Sequence, residues 1–410
     1  MIISQAKDLD DKAVLTLGKP SIWTRNFILL CLANLVLYMS TNMLIPSLPR
    51  YLLKIGGNPL DVGYVMAAYT IGAMFIRPFG GWLVDNYGRK RILILGMIMM
   101  LTVSFLYTPV KNVSLMMLVR SLHGVSLGLV STAIGTIVAD SLPTGNFSEG
   151  MGYFGLTNSI AMAVAPIVGF GIVENYGYPL LFVAVIMLTT LAFGSSMLVR
   201  ANTSPISISS NSAKGIYARL LEKSALLPAC MHFSLALVFG SMISFVSLHA
   251  AERGVANIGL FFTAWALTML LSRPISGRWA DCGSSNKVLF IGHLAVFIGM
   301  MTLALSQVLT HFLLAGIFIG LGFGFILPTL QALAVRNAPI NRRGAATATF
   351  YVASDLGIGL GTILAGYVAT ASSYQIMYFT TLIPIVLSGV IYFKYRASAN
   401  CSNIAEDSCC

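Results

Sequence analysis

The sequence has little charge. Only 10% of its 410 residues are Asp, Glu, Lys or Arg, whereas soluble proteins carry roughly 25%. Hydrophobic residues make up 57% of the chain. This balance excludes a soluble two-domain enzyme and indicates a chain that lies mostly within a membrane.

A continuous basic stripe is also missing, although the formal net charge is +11. The Lys and Arg residues instead form short clusters between long apolar runs. Membrane proteins encode their orientation by such clusters. We therefore expect a lipid bilayer as partner and no nucleic acid.

Motifs that hold metals or disulfides are absent as well. The six cysteines include no CxxC pair, so neither a zinc site nor a disulfide framework is predicted. No cluster of His, Asp and Glu has metal-ligand spacing, and no nucleophile with an adjacent base can be nominated. We predict no metal, no cofactor and no enzymatic activity. A membrane-embedded enzyme is a weak alternative.

The first 20 residues contain neither an apolar stretch nor a cleavage site of the kind found in a signal peptide. The first apolar run begins near Asn26 and is too long for a signal peptide. We expect it to remain in the membrane.

Twelve apolar runs are long enough to cross a membrane, since a crossing helix needs about 20 mostly apolar residues. Backbone in lipid must be hydrogen-bonded internally, so each run is predicted to be helical even where it contains proline. The runs are 26–49, 61–84, 92–109, 113–139, 150–173, 178–199, 225–249, 257–280, 287–307, 311–335, 345–369 and 375–395. The predicted fold class is an all-α membrane protein.

Lys and Arg are unequally distributed between the two sides of these runs. With the amino terminus in the cytoplasm, most of them fall in cytoplasmic segments and few in external ones. The positive-inside rule then predicts that both termini are cytoplasmic and that the protein is a multi-pass protein of the inner (cytoplasmic) membrane.

The longest polar interruption, residues 200–224, divides the chain near its middle. It begins Ser-rich and ends as a basic amphipathic stretch, which we expect to lie along the inner membrane surface. It separates an amino-terminal six-helix bundle (25–199) from a carboxy-terminal one (225–396). A cytoplasmic segment (1–24) precedes them and a cytoplasmic tail (397–410) follows.

The two halves are repeats of each other. The string RPxxGxxxD begins at Arg77 and again at Arg273, a shift of 196 residues. The same ungapped shift aligns four pairs of glycines: Gly63 with Gly259, Gly96 with Gly292, Gly124 with Gly320, and Gly128 with Gly324. In transporters built from two such halves, substrate binds between them near the middle of the bilayer.

The loop after the second run carries the most specific motif, Gly81-Trp-Leu-Val-Asp85-Asn-Tyr-Gly88-Arg89-Lys-Arg. It resembles the loop 2–3 signature of the major facilitator superfamily, roughly G-x-L-x-D-R-x-G-R-K/R, with Asn86 in place of the first arginine. The likeness in helix number, halves and linker extends over nearly the whole chain. It implies twelve transmembrane helices in two pseudo-symmetric six-helix bundles, and transport by alternating access.

The same resemblance implies an inner latch that holds the halves together when the transporter faces outward. Arg89 follows Asp85 by four residues and can pair with it, while Gly88 permits the tight reversal between them. Asp140 would extend this series of charges. The second half keeps Asp281 but has lost most of the basic run. The alternative is a basic loop that only sets topology.

The fourth run contains Arg120-Ser-Leu-His123-Gly124, which resembles the family's RxxxG motif. In antiporters of the family the buried arginine of that motif is tied to proton transfer. Charged side chains in membrane helices generally face the protein interior or a water-filled cavity. Arg120 is therefore predicted to act in proton coupling or substrate binding, with His123 as a second candidate. The alternatives are an arginine bound by backbone carbonyls and a histidine in an interhelical contact.

The fifth run carries Ala165-Pro166-Ile-Val-Gly169-Phe-Gly171. It resembles the family's antiporter motif, typically G(x)nGPxxGG, with Ala165 where glycine is usual. That motif separates exporters from importers, so the resemblance favours export. The alternative is ordinary glycine packing beside a proline bend.

Asp355 is the one acidic residue deep inside an apolar run. It lies roughly 16 Å along the eleventh run, at about 1.5 Å per residue. Removal from water favours the neutral form of a carboxyl group, so Asp355 is predicted to bind and release a proton. Its partner when charged is predicted to be Arg120 or the substrate. The alternative is a carboxylate held permanently by hydrogen bonds between helices.

Arg77-Pro78 and Arg273-Pro274 are predicted to be structural, each a proline bend with an arginine that reaches toward the cytoplasmic face. Gly81, Pro166 and Gly169 are assigned structural roles as well.

A polar stripe on the first run is the strongest candidate for the cavity wall. Asn34, Tyr38 and Asn42 recur at helical spacing. Three weaker candidates for the cavity are Asn158, His232 and Gln331.

These features together predict a secondary transporter, namely a monomeric, proton-coupled exporter of a small organic molecule. The pattern most resembles bacterial twelve-helix drug:proton antiporters, a group that includes exporters of staphylopine-type metallophores. The substrate is thus expected to be a drug-like compound or a secreted metabolite. The alternatives are an uptake symporter on the same fold and a sensor without transport.

Overall fold

The computed structural model describes residues 22–142, 147–200, 222–279, 285–336, 338–339 and 343–392. These residues form twelve α-helices, one short 3-10 helix over Lys223–Ala225, and no strand. The prediction of an all-α protein is confirmed. Most of the predicted linker lies outside the described residues.

The helices follow the predicted runs in order. They are α1 Arg25–Lys54, α2 Pro59–Tyr87, α3 Arg89–Leu106, α4 Val113–Ser141, α5 Phe147–Tyr176, α6 Tyr178–Leu198, α7 Leu226–Glu252, α8 Gly259–Trp279, α9 Ser285–Ala304, α10 Leu309–Arg336, α11 Arg343–Ala371 and α12 Tyr374–Thr380, with helical residues continuing over 382–392.

Ten of these helical segments are long and apolar enough to cross a membrane. The two that do not reach this threshold are α3 and α8. The first begins with Arg89-Lys90-Arg91 and the second carries Arg273. Both nevertheless occupy the positions of predicted spans. Large apolar side chains such as Phe75, Leu271 and Ile383 are exposed on the outside of the bundle, as expected for a surface that faces lipid.

Side-chain caps and glycines set the helix ends. Asn58 and Asp61 form a reciprocal capping box at the start of α2. Gly88 separates α2 from α3 with a φ of 93°, a backbone conformation that favours glycine. The predicted reversal at Gly88 is therefore present.

The internal repeat is visible in the packing of equivalent glycines. In the amino-terminal bundle Gly124 of α4 abuts the backbone of Tyr69 in α2. In the carboxy-terminal bundle Gly320 of α10 abuts the backbone of Trp265 in α8. Both members of each contact are related by the shift of 196 residues, so the repeated sequence folds into repeated structure.

Among the described residues the two bundles meet mainly through three helix pairs, α1 with α7, α2 with α11, and α5 with α8, with a smaller contact between α2 and α7. A Cβ on Gly63 of α2 would lie 2.6 Å from the carbonyl oxygen of Thr362. A Cβ on Gly259 of α8 would lie 3.1 Å from the Cα of Ile167. These contacts lie toward the predicted external side, where α2 and α8 begin.

The hydrophobic core shows on which side the bundles separate. One core cluster joins both bundles at the predicted external side, with members such as Leu48 and Phe245. At the predicted cytoplasmic side the amino-terminal bundle has a separate cluster, which includes Leu93 and Val138. Within the described residues the bundles thus share a core toward the predicted external side and not toward the predicted cytoplasmic side, where a cleft lies between them.

Candidate functional site

A cavity of about 410 Å³ lies in this cleft between the bundles. Its wall comes from α5 of the amino-terminal bundle and from α7, α8, α10 and α11 of the other. Three aromatic side chains, Phe239, Phe323 and Phe350, contribute much of the apolar wall. The polar lining side chains are Asn158, Ser159, His232, Arg273, Gln331, Tyr351 and Ser354. This mixture suits a small organic molecule with both apolar and polar parts.

Helical periodicity explains why α5 and α11 both face this cavity. Gly155, Asn158 and Met162 of α5 lie one turn apart on a single face of the helix. Tyr351 and Ser354 of α11 present the equivalent face from the other bundle.

Asp355 forms an ion pair with Arg77, whose Nη1 donates to the carboxylate Oδ2. Asp355 is only 8% exposed. Because Arg77 lies on α2 and Asp355 on α11, the pair joins the two bundles. It is the one ion pair between the bundles in the described part of the chain.

This pair corrects two predictions. The protein partner of Asp355 is Arg77 and not Arg120, because α2 packs between α4 and α11 and keeps Arg120 away from the carboxylate. Arg77 was expected to reach toward the cytoplasmic face. It extends across the bundle interface instead, since a charge inside the membrane is stabilised by an opposite charge.

Arg120 is fully buried within the amino-terminal bundle. Its guanidinium carbon lies 4.3 Å from the ring centroid of Tyr69. Its Nη1 donates to the hydroxyl of Tyr107 at 3.4 Å, and Nη2 lies 3.8 Å from the Sδ of Met66. Among the described residues Arg120 has no carboxylate partner. Aromatic faces and a phenol, rather than backbone carbonyls, surround its charge.

His123 shares the same surroundings. Its Nδ1 lies 2.8 Å from the hydroxyl of Tyr107, and its Nε2 has no hydrogen-bond partner among the described residues. Neither Arg120 nor His123 lines the cavity described above.

Two tyrosines lie near these charges. The ring of Tyr69 contacts Arg120 and also interacts electrostatically with Arg77. Tyr38 interacts electrostatically with Arg77 and Asp355.

Comparison with known proteins identifies the fold. The family profile described as Major Facilitator Superfamily matches residues 30–256 and 228–403. The chain belongs to the Major Facilitator Superfamily. The predicted resemblance is therefore confirmed.

Two curated relatives of this facilitator are bacterial. The staphylopine export protein of Staphylococcus aureus (strain Mu50 / ATCC 700699) is 25% identical over 368 residues, which cover 86% of this chain and 91% of that protein. The quinolone resistance protein NorA of the same organism is 31% identical over 134 residues, only 33% of this chain and 34% of NorA.

A solved structure of a POT family transporter, in complex with a thioalcohol-conjugated peptide, superposes with a TM-score of 0.78. The match covers 91% of this chain and 96% of that chain at 15% identity. At that identity it supports the fold and nothing more.

Two of the five predicted latch residues are in contact among the described residues. Arg89, at the start of α3, is ion-paired with Asp140 near the end of α4. The side chain of Asp85 and the whole of Asp281 lie outside the described residues. The contact seen is within the amino-terminal bundle.

The polar stripe of α1 does not line the cavity in the described structure. Asn34 donates from Nδ2 to the Oγ1 of Thr157 at 2.7 Å and so ties α1 to α5. Asn42 borders a separate, very small pocket beside Pro166, and its Nδ2 has no partner among the described residues. The cavity prediction fails for Asn34 and Asn42, which are buried between helices. Tyr38 is partly exposed near Arg77 and Asp355, and its cavity role stays a prediction.

The three weaker candidates do line the cavity. Asn158 is on α5, and the ring of His232 stacks on Phe350 with centroids 4.2 Å apart. The Nε2 of Gln331 donates to the hydroxyl of Tyr351 at 3.3 Å.

Sequence reasoning missed the cavity role of Arg273, which it had assigned to structure alone. It also missed Ser159, Tyr351 and Ser354. The repeat register was a signal for two of them, because it equates Arg273 with Arg77 and Ser159 with Asp355.

The predicted structural residues have different surroundings. A Cβ on Gly169 would lie 3.0 Å from the carbonyl oxygen of Met43, so this glycine allows α5 to approach α1. Pro166 and Pro274 lie inside α5 and α8. At Gly81 a Cβ would meet nothing within 4 Å, so close packing does not explain this residue. The side chain of Pro78 lies outside the described part.

Proposed function

We propose that this facilitator is a proton-coupled exporter of small organic molecules and that Asp355 carries the coupled proton. The observation behind this proposal is the Arg77–Asp355 ion pair at the interface of the two bundles. A titratable carboxylate that bonds the two halves directly can link its own protonation to their movement.

The physical basis is electrostatic. While Asp355 is ionised, Arg77 stabilises its negative charge. An unpaired charge in this position would destabilise the protein by roughly several kcal/mol. Protonation removes the negative charge of Asp355 and weakens the interaction between α11 and α2. The bundle interface is then free to rearrange, and loss of the proton restores the bond.

We assign the export direction from the two relatives, which are named for export and for drug resistance. The cleft lies toward the side that the positive-inside rule assigns to the cytoplasm, where an exported substrate would enter. A substrate enters from the cytoplasm while Asp355 is ionised, and its binding energy drives the step to the outward-facing state. A proton from outside then neutralises Asp355, the substrate leaves, and the loosened interface returns to the inward-facing state, where the proton is released.

The substrate class is supported by the relatives and by the cavity. The two bacterial relatives are named for staphylopine export and for quinolone resistance, and the aromatic and polar wall suits molecules of that kind. We assign the exporter a monomeric state in the cytoplasmic membrane. The Arg89–Asp140 pair, together with Asp85, acts as the cytoplasmic latch in the outward-facing state.

The test uses inverted membrane vesicles that are acidified inside. A fluorescent quinolone or radiolabelled staphylopine should accumulate in vesicles that contain the protein. Asp355→Asn should abolish this accumulation but retain counterflow exchange, since the amide is permanently neutral. Glu174→Gln, which changes an exposed carboxylate at the end of α5, is the matched control and should transport normally.

Full uphill transport by Asp355→Asn would show that another group carries the proton. Accumulation in right-side-out vesicles under an inward proton gradient would instead establish an uptake symporter.

A further inference from the structure

Equivalent arginines in the two halves of the chain have different neighbours. The shift of 196 residues relates Arg77 to Arg273 and Asp355 to Ser159. The α2–α11 contact that contains the Arg77–Asp355 pair thus has a counterpart in the α5–α8 contact. In that counterpart the arginine is present and the carboxylate is replaced by a serine.

Contacts in the structure show that this register holds in space. A Cβ on Gly63 would meet Thr362 and Ile363. A Cβ on Gly259 would meet Pro166 and Ile167, which are the 196-shifted equivalents of those two residues. The cavity wall shows the same correspondence between the halves. Asn158 is equivalent to Ser354 and Met162 to Ile358, and all four residues line the cavity.

Arg273 is the sole charged side chain among the described residues that line the cavity. It is exposed, and its guanidinium has no hydrogen bond or ion pair within the described residues. Ser159, at the position equivalent to Asp355, lines the same cavity. The cavity therefore presents one uncompensated positive charge next to the place where symmetry would put a carboxylate.

We propose that the cavity selects small molecules that carry a carboxylate, and that this group binds Arg273 beside Ser159. The substrate supplies the negative charge that is missing at Ser159, in the amino-terminal half of the chain. A single arginine among neutral donors matches one negative charge, which favours a carboxylate over a doubly charged phosphate. The apolar part of the molecule would lie against Phe239, Phe323 and Phe350.

This inference rests on the proposed function, since it treats the cavity as the transport site. It is nevertheless testable by equilibrium binding, which requires no proton gradient. Purified protein in lipid nanodiscs is titrated with matched acids and amides: benzoate and benzamide, then 2-naphthoate and 2-naphthamide. The members of each pair have nearly the same shape and differ in charge.

The acid of at least one pair should bind about tenfold more tightly than its amide, the size expected for a hydrogen bond between charged groups. Arg273→Gln should remove this preference and leave amide binding unchanged, and Arg273→Lys should retain part of it. Arg253→Gln is the control. Arg253 bonds Gln307 and Gln375 at the predicted external side, so its loss should not affect the preference.

A second variant tests the missing carboxylate directly. Ser159→Asp places a built-in negative charge beside Arg273 and should lower the affinity for the acid by about tenfold or more while sparing the amide. Ser159→Asn, similar in size but neutral, should keep the preference for the acid.

Equal affinity for acid and amide, no binding of either, or a preference that survives Arg273→Gln would each overturn the proposal. A preference for acids without proton-driven transport would contradict the export mechanism alone. Proton-driven export without the preference would contradict this inference alone.

Discussion

The Arg77–Asp355 pair places opposite charges on two helices from different halves of the chain. Asp355 is buried, whereas about a third of the Arg77 side chain is exposed. Removing one partner therefore has unequal consequences. Without Arg77 a buried carboxylate is unpaired, whereas without the charge on Asp355 the arginine can still contact the water of the cleft.

This asymmetry predicts the outcome of a double-mutant cycle. Arg77→Gln should lower the free energy of unfolding by about 2 kcal/mol, the cost of leaving a buried charged group without its partner. Asp355→Asn should cost less. The double variant Arg77→Gln/Asp355→Asn should be more stable than Arg77→Gln alone, because no charge is then left unpaired. Denaturation in detergent at neutral pH gives the free energy of unfolding of the unchanged protein and the three variants. Strictly additive losses would show that Arg77 and Asp355 do not stabilise each other.

The sequence could identify Asp355 and not its partner, for a physical reason. A lone acid deep in an apolar run is visible from composition alone. Arg77 and Arg120 both lie well inside apolar runs, so only the packing of α2 between α4 and α11 decides which of them reaches the carboxylate. Asn34 illustrates the same limit, because a polar residue on a helix face can serve a neighbouring helix as well as a cavity.

Helices were more predictable than contacts. A membrane span requires length and hydropathy, which are properties of a contiguous segment, and every predicted run corresponds to a helix. The ends differ by a few residues where charged side chains begin a helix, as in α3, which starts at Arg89 rather than at residue 92. Contacts between helices are not properties of one segment. The predicted contacts of the latch residues therefore depended on the family resemblance.

Close approach of α2 and α11 at the external side depends on glycine at position 63. A larger side chain would meet the carbonyl oxygen of Thr362, which lies 2.6 Å from an added Cβ. Gly63→Val should therefore push the external ends apart and favour the outward-facing state. Spin labels on the external ends of α2 and α11 should show a longer mean distance.

Gly81 provides the control on the same helix, because an added Cβ there would meet nothing within 4 Å. Gly81→Ala should leave the distance distribution unchanged. An unchanged distribution in Gly63→Val would mean that this contact does not hold the external side closed.

At the scale of the whole molecule, one closed side and one open side define a single state of an alternating-access cycle. On the predicted external side the described helices meet as α1–α7, α2–α11 and α5–α8, and the amino-terminal members of the shared core cluster lie there. Transport requires these contacts to open while others form on the cytoplasmic side. A covalent bond across the external contacts should therefore stop transport without removing the cavity.

The pair Ile167→Cys/Gly259→Cys offers such a bond. A Cβ on residue 259 would lie 3.1 Å from the Cα of Ile167, so the two backbones are in direct contact at this point. Introduced into a background without the native cysteines, the oxidised pair should lose transport in vesicles. Reduction should restore it, and each single cysteine variant should be insensitive to oxidant.

Because the cytoplasmic cleft remains open in the oxidised protein, binding of 2-naphthoate from that side should persist with unchanged affinity. Transport that continues at full rate in the oxidised protein would show that the external contacts between α5 and α8 need not open in the cycle.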